Sequence, residues 1–238
     1  MAVLRAPHCQ GNTSRSVGVY RSSMSMKERI RVILGLLLSL ALNQAFALDA
    51  PVFFPNGTFG PSVRADDFRR TYCSQFLEFF CEHSLLAAAE NASAKESYRF
   101  LWLRTFHQPV MIRFDFAADG SATLTRKTGS GPAGFGVPDR HIVEQQQRLL
   151  APAETARLRE ALLVSQFWSI PTREHPRTLG MDGATWIMEG ANGSRYHVVS
   201  RWSPCGRGGP HDTEAVCALG RTFIRDLAAI QADGRDLY

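Results

Sequence analysis

The stretch that decides the fold is Val110-Met111-Ile112-Arg113-Phe114-Asp115-Phe116-Ala117-Ala118-Asp119-Gly120-Ser121-Ala122-Thr123-Leu124-Thr125. Val110, Ile112, Phe114 and Phe116 alternate with Met111, Arg113 and Asp115, the period-two pattern of a half-buried strand. Asp119-Gly120 marks a hairpin turn. A three-residue loop, Ala118 to Gly120, sets Phe116 opposite Ala122 and Phe114 opposite Leu124. A two-residue loop sets Thr123 and Thr125 there instead. The first register is preferred, because a slip of one residue carries every side chain to the other face.

The same reading extends outward. Tyr98 to Phe106 is apolar on both parities, as in a strand buried on both faces. Upstream, Phe68, Tyr72, Phe76, Phe79, Phe80 and His83 recur at three- and four-residue steps in a helix opened by Asp66, and this stripe is read as a core face. Downstream, residues 140–150 fit strand or helix. Pro152 suits the first turn of a helix running to about Ser165. Ala184–Glu189 and Ser194–Trp202 form a hairpin around Asn192-Gly193. Asp212 or Thr213 caps a last helix with Val216, Leu219, Phe223, Leu227 and Ile230 inward. Hairpins punctuated by helices predict one α+β domain over 66–238: an antiparallel sheet of five or six strands, helices mainly on one face, preceded by an N-terminal helix. Residues 48–65, with Pro51, Pro55 and Pro61, read as an extended lead-in.

Ahead of this domain, residues 26–47 read as a secretory signal peptide. Lys27, Arg29 and Arg31 precede an apolar run from Val32 to Leu42, and Ala45-Phe46-Ala47 supplies the cleavage pattern. The run is short for a membrane anchor, the competing reading. Cleavage near Ala47 places the mature chain in the periplasm or medium and limits membrane contact to export. Residues 1–25 read as a disordered or mis-assigned extension, with translation starting at Met1, Met24 or Met26. Residues 1–47 hold six of the 27 Lys and Arg and one of the 22 Asp and Glu, leaving 21 of each in the mature chain. The excess positive charge therefore belongs to the leader, and nucleic acid is not an expected partner.

Four cysteines remain after cleavage. Cys73 and Cys81 lie eight residues apart in the first helix, about 12 Å along its axis, whereas a disulfide needs Cα atoms within about 7 Å. They pair only if the helix breaks between them. Cys205 and Cys217 flank the Gly206–Pro210 loop and fit either a bridge or two free buried thiols.

The last hairpin sorts into two faces, Ile187, Tyr196, Val198 and Trp202 on one, Trp186, Met188, His197, Val199 and Arg201 on the other. With helices over the first, the second becomes an open face, and matching it to the mixed face of the earlier strand gathers Arg113, Asp115, Trp186, His197 and Arg201. Trp, Arg and His are the types that anchor ligands and partners. The competing reading is a solvated face with arginine stacked on tryptophan. No cofactor or metal is expected. Gly129 to Gly134 matches G-x-G-x-x-G, but Gly136, Pro138 and Asp139 follow where a phosphate-binding helix has to begin. There is no G-x-S-x-G and no H-E-x-x-H. His175, Asp182 and His211 fall in loops that an acid–base site would have to gather.

Two stretches, Tyr98-Arg99-Phe100-Leu101-Trp102-Leu103-Arg104-Thr105-Phe106-His107 and Asp182-Gly183-Ala184-Thr185-Trp186-Ile187-Met188-Glu189-Gly190 with Tyr196-His197-Val198-Val199-Ser200-Arg201-Trp202-Ser203-Pro204, resemble an uncharacterised family of exported bacterial proteins. The resemblance covers roughly residues 66–230. It implies a strand at 140–150 and supplies no activity or site residues. The function expected is a non-enzymatic module that binds a protein or small ligand on the open sheet face. The alternatives are an extracytoplasmic hydrolase with a His/carboxylate site and a structural envelope protein.

Overall fold

The computed structural model describes residues 51–137, 140–173, 182–205, 211–231 and 237. Among the described residues two helices come first, α1 (Val63–Phe79) and α2 (Leu85–Glu90). Strands β1 (Ala94–Arg104), β2 (Val110–Phe116), β3 (Ala122–Gly129) and β4 (Ile142–Leu149) follow, then α3 (Pro152–Val164). The hairpin β5 (Ala184–Gly193) and β6 (Arg195–Trp202) leads to α4 (His211–Arg221), which continues into a π-helical turn, Thr222–Leu227. The six strands make one antiparallel sheet in the order β4-β3-β2-β1-β5-β6. The α+β class and the antiparallel sheet agree with the sequence reading, and residues 142–149 are a strand. No helix of the described residues is long and apolar enough to cross a membrane.

The first hairpin takes the expected register, with Phe116 opposite Ala122 and Phe114 opposite Leu124. Both faces of the sheet are covered. On one, α3, α4 and the π-turn bury Phe100, Trp102, Ile112, Phe114, Leu124, Trp186, Met188 and Val199. On the other, α1 and the segment before it bury Leu101, Leu103, Met111, Ile187 and Val198. So β1, in mid-sheet, is buried on both sides from Ser97 to Leu103, in keeping with the apolar residues on both of its parities.

The lead-in is more than an extended arm. Phe53, Phe54 and Phe59 are buried in the α1-side core. The Asp66 carboxylate holds this segment against α1, accepting from the amides of Gly57 (2.7 Å), Phe59 (2.6 Å) and Gly60 (3.2 Å). The helix itself starts at Val63, capped by Ser62. Its inward face is Cys73, Phe76, Leu77 and Phe80, while Phe68, read from the sequence as core, is exposed. Asp66 is committed to the loop, and that rotates the stripe by part of a turn. Cys73 is a buried thiol, not bridged to Cys81, and burial pushes its pKa up. Cys205 and Cys217 lie at disulfide distance, with Cα atoms 5.1 Å apart.

Gly220 of α4 packs closely on the sheet. A Cβ there would lie 2.0 Å from Cζ3 of Trp186, which is wholly buried. Gly220→Ala gains up to about 1 kcal/mol of helix propensity and incurs overpacking of about 1–3 kcal/mol. The steric term wins. Chemical denaturation of the variant is expected to show a net loss of stability with an unchanged denaturant slope.

Candidate functional site

The structure does not bring the five candidate residues onto one open face. Arg113 and Asp115 lie on the α1 side, because Arg113 pairs with Arg99 across β1–β2 and Arg99 pairs with Glu189 across β1–β5. Trp186, His197 and Arg201 lie on the opposite side, beneath α3 and α4. Trp186 is 0% and Arg201 1% exposed, so neither forms an open binding surface. Sorting within the last hairpin was sound: Trp186 pairs with Arg201 and Met188 with Val199. The error lay in matching mixed face to mixed face. The large apolar set Ile112, Phe114 and Phe116 has to share its core with the largest apolar set of β5, and that set contains Trp186. Arg201 reaches the carbonyls of Pro171 (2.8 Å), Thr172 (3.2 Å) and Ser200 (2.8 Å), tying the segment after α3 to the sheet edge. Asp182 is exposed; His175 and the side chain of His211 lie outside the described residues.

Arg113 and Asp115 belong to a buried ionic network. Arg99 Nε and Nη2 approach Glu189 Oε2 at 2.8 and 2.7 Å, and Tyr196 Oη donates to Glu189 Oε1 at 2.9 Å. Arg99 Nη1 donates to the His83 carbonyl at 2.7 Å and lies 3.7 Å from Glu82 Oε2. Glu82, from the link between α1 and α2, also pairs with Arg113 and, at 2.7 Å, with Lys127. Arg113 Nε then pairs with Asp115 at 2.8 Å, and Ser97 Oγ donates to Asp115 at 2.8 Å. Three cations thus meet three carboxylates. Burial raises the Glu189 pKa against the pull of Arg99, and burial also raises that of Tyr196. Each inner charge is already matched by an opposite one, so the network holds the α1–α2 link on the sheet.

The surface with spare chemistry is on the other side, past the end of α3. A shallow, solvent-open groove of about 370 Å³ is lined by Glu96, Tyr98, Arg159, Leu162, Leu163, Gln166, Phe167, Trp168 and Ser169. Gln166 adopts a left-handed backbone, φ +50°, which turns the chain back after α3 and sets Phe167 and Trp168 against the sheet. Phe167 is buried and meets Tyr98 edge to face at 5.6 Å; Trp168 is half-buried, 6.0 Å from Tyr98. Arg195 of β6 stacks over the Trp168 ring at 4.1 Å. Arg159 stacks over Phe116 at 4.0 Å and holds both oxygens of Glu96 at 3.2 and 3.3 Å. Of the five candidates, only His197 borders this cluster, with its ring 5.3 Å from Phe167 and 6.3 Å from Trp168. Its Nε2 is 2.9 Å from the Ile170 carbonyl, which makes that nitrogen the protonated one. Glu96, Arg159, Trp168 and Arg195 were not singled out from sequence. The available signal was Trp168, a tryptophan just past the end of α3.

Two measurements test this account. Glu82→Ala leaves Arg99, Arg113 and Lys127 without their shared carboxylate and is expected to cost about 3–5 kcal/mol. Asp115→Ala, at a side chain 31% exposed, is expected to cost under about 1 kcal/mol. Equal losses in urea unfolding would sink the distinction. His197 is held below the ordinary histidine pKa of 6.5 by burial, with Arg195 and Arg201 adding to it and the Ile170 hydrogen bond opposing. The fold therefore favours the neutral ring. Its contribution to stability is complete above the ordinary pKa and is lost as pH falls through the depressed one. NMR titration is expected to place the His197 midpoint below 6.5, and His197→Gln to flatten part of the acid-side stability slope.

In the comparisons with known proteins, no family model and no curated protein matches this chain.

Proposed function

We propose that the protein is an exported, non-enzymatic interaction module that takes a protein partner in the Trp168 groove. The observation that carries this reading is the arrangement around Trp168. A half-buried tryptophan under an arginine shares its groove with the exposed Leu163, and Val164 stands next in the chain; these two aliphatics are 77% and 75% exposed. Tryptophan, tyrosine and arginine dominate the energetic centres of protein interfaces, and exposed apolar side chains clustered beside polar ones mark contact surfaces. The left-handed Gln166 just past α3 ends the helix and sets Trp168 at the groove. The groove is shallow, which suits a protein surface better than an enclosed small molecule. The hydrolase alternative rests on His197, whose Nε2 is committed to a backbone carbonyl, or on His175, Asp182 and His211, of which Asp182 is exposed while His175 and the His211 side chain lie outside the described residues. Export, the remaining part of the reading, rests on the basic, apolar and small-residue pattern of residues 26–47.

A photo-activatable amino acid at Leu163 or Val164, in the full chain expressed in its own host, tests the groove. Both positions are expected to give the same protein adduct, and a probe at exposed Gln75 of α1 is expected to give none of it. Trp168→Ala, checked for folding by circular dichroism, is expected to weaken capture by about 2 kcal/mol, a loss of more than tenfold. Absence of adducts at 163 and 164, or adducts indifferent to Trp168→Ala, would refute the proposal.

A further inference from the structure

The outer edge of β4 differs from a protected sheet edge. β4 ends the strand order, and every residue from Val143 to Gln147 is exposed, with Val143 at 47% and Leu149 at 65%. Proteins usually blunt such an edge with charged side chains, lysine above all, with proline or with bulges; the two charges of β4, Glu144 and Arg148, are held within the chain by Arg126 and Glu154. Ile142-Val143-Glu144-Gln145-Gln146-Gln147-Arg148-Leu149 contains no lysine or proline, and its register irregularity falls only at the start, next to Gly129. The backbone direction follows from one hydrogen bond. Leu150 N–H donates to the Ala122 carbonyl at 2.8 Å. Counting back in twos, Arg148, Gln146 and Glu144 turn their backbone groups toward Leu124, Arg126 and Thr128 of β3. Gln145, Gln147 and Leu149 turn theirs outward, and Val143 stands in the irregularity between Glu144 and Ile142.

We infer that β4 is a docking edge for a second copy of this chain, whose own β4 adds antiparallel about a two-fold axis at Gln146 and joins the two sheets into one. The sequence of β4 is self-complementary about that residue. Val143 falls opposite Leu149 of the second copy, Gln145 opposite Gln147, Gln146 opposite itself, and Glu144 opposite Arg148. The register also matches outward-turned groups with outward-turned groups, so 145 and 147 of the two copies supply the new ladder, with Val143 and Leu149 at its ends. A slip of one residue pairs outward groups with inward ones. A slip of two puts Arg148 opposite Ile142, or Glu144 opposite Leu150. Charge complementarity thus selects the register centred on Gln146. Within one copy Glu144 already meets Arg126, and Arg148 holds Glu154 at 2.7 Å. Across the axis these pairs join into a row of alternating sign, Arg126, Glu144, then Arg148 and Glu154 of the second copy, repeated by symmetry. This inference is independent of the Trp168 groove, whose lining residues lie on other elements.

Sedimentation equilibrium of the purified protein over a concentration series tests the inference. The wild type is expected to move from one to two chain masses as concentration rises. Gln147→Pro removes only an outward amide, which an edge strand tolerates, and is expected to halve the mass at concentrations where the wild type is dimeric, with an unchanged circular dichroism spectrum. A second pair of variants avoids any backbone effect. Val143→Lys with Leu149→Lys sets like charges opposite each other in the dimer and is expected to leave monomer. Val143→Lys with Leu149→Glu sets the introduced lysine of one copy opposite the introduced glutamate of the other and is expected to keep the dimer. A wild type that stays monomeric at the highest soluble concentration overturns the inference. So does a dimer that survives both Gln147→Pro and the double lysine change, or one lost equally in both double variants.

Discussion

Arg99 carries a full charge in the middle strand of the sheet with no exposure to water. A charge so placed is tolerated only when paired and hydrogen-bonded, and its partners fix much of what surrounds it. Glu189 meets it from β5, and the His83 carbonyl and Glu82 meet it from the α1–α2 link. Glu82 then extends to Arg113 on β2 and Lys127 on β3. One buried guanidinium therefore determines where the helical cover ends and which strands it touches. Apolar contact alone is non-directional; Phe76, Leu77 and Phe80 would pack nearly as well after a small slide along the sheet. The ionic network removes that freedom, because a slide would leave buried carboxylates facing no cation.

Some of this was legible in the sequence. Alternation from Val110 to Phe116 and the Asp119-Gly120 turn gave the first hairpin and its register. Parity in β5 and β6 gave the correct side-chain sorting within that pair. The assignment of faces failed, since parity says which residues travel together and is silent on which group meets which across β1. That choice depends on volume: Trp186 was weighed as a polar anchor when its indole is mostly apolar surface. The ionic network was hidden for a related reason. Arg99 sits alone in an aromatic run, and its partner Glu189 is 90 residues further on. The Trp168 groove draws Glu96, Arg159, Trp168 and Arg195 from four separate elements, so no local spacing announces it. The Cys205–Cys217 pairing was open between two readings, and the approach of the β6 end to α4 decides it.

The two faces do different work. The α1 side is closed by charge matching, and its polar residues are used up in holding the cover. The α3/α4 side is closed by aromatic packing around Trp102, Trp186 and Phe223, which leaves the polar residues at its margin available. The groove forms at that margin, where the left-handed Gln166 ends the helix and returns the chain to the sheet.

The strand order carries a consequence for how the chain comes together. β1 to β4 form a meander of neighbours, so their pairing closes only short loops. The far side of β1 waits for β5, whose residues are made some 90 positions later. During that interval a strand destined to be buried on both faces has one unpaired edge, and its charge at Arg99 has no carboxylate from β5. A chain emerging from its N-terminus therefore passes through a stage with an open, sticky edge in what becomes the centre of the sheet. In the interval between β1 and β5 that unpaired edge is open to aggregation and to chaperone capture.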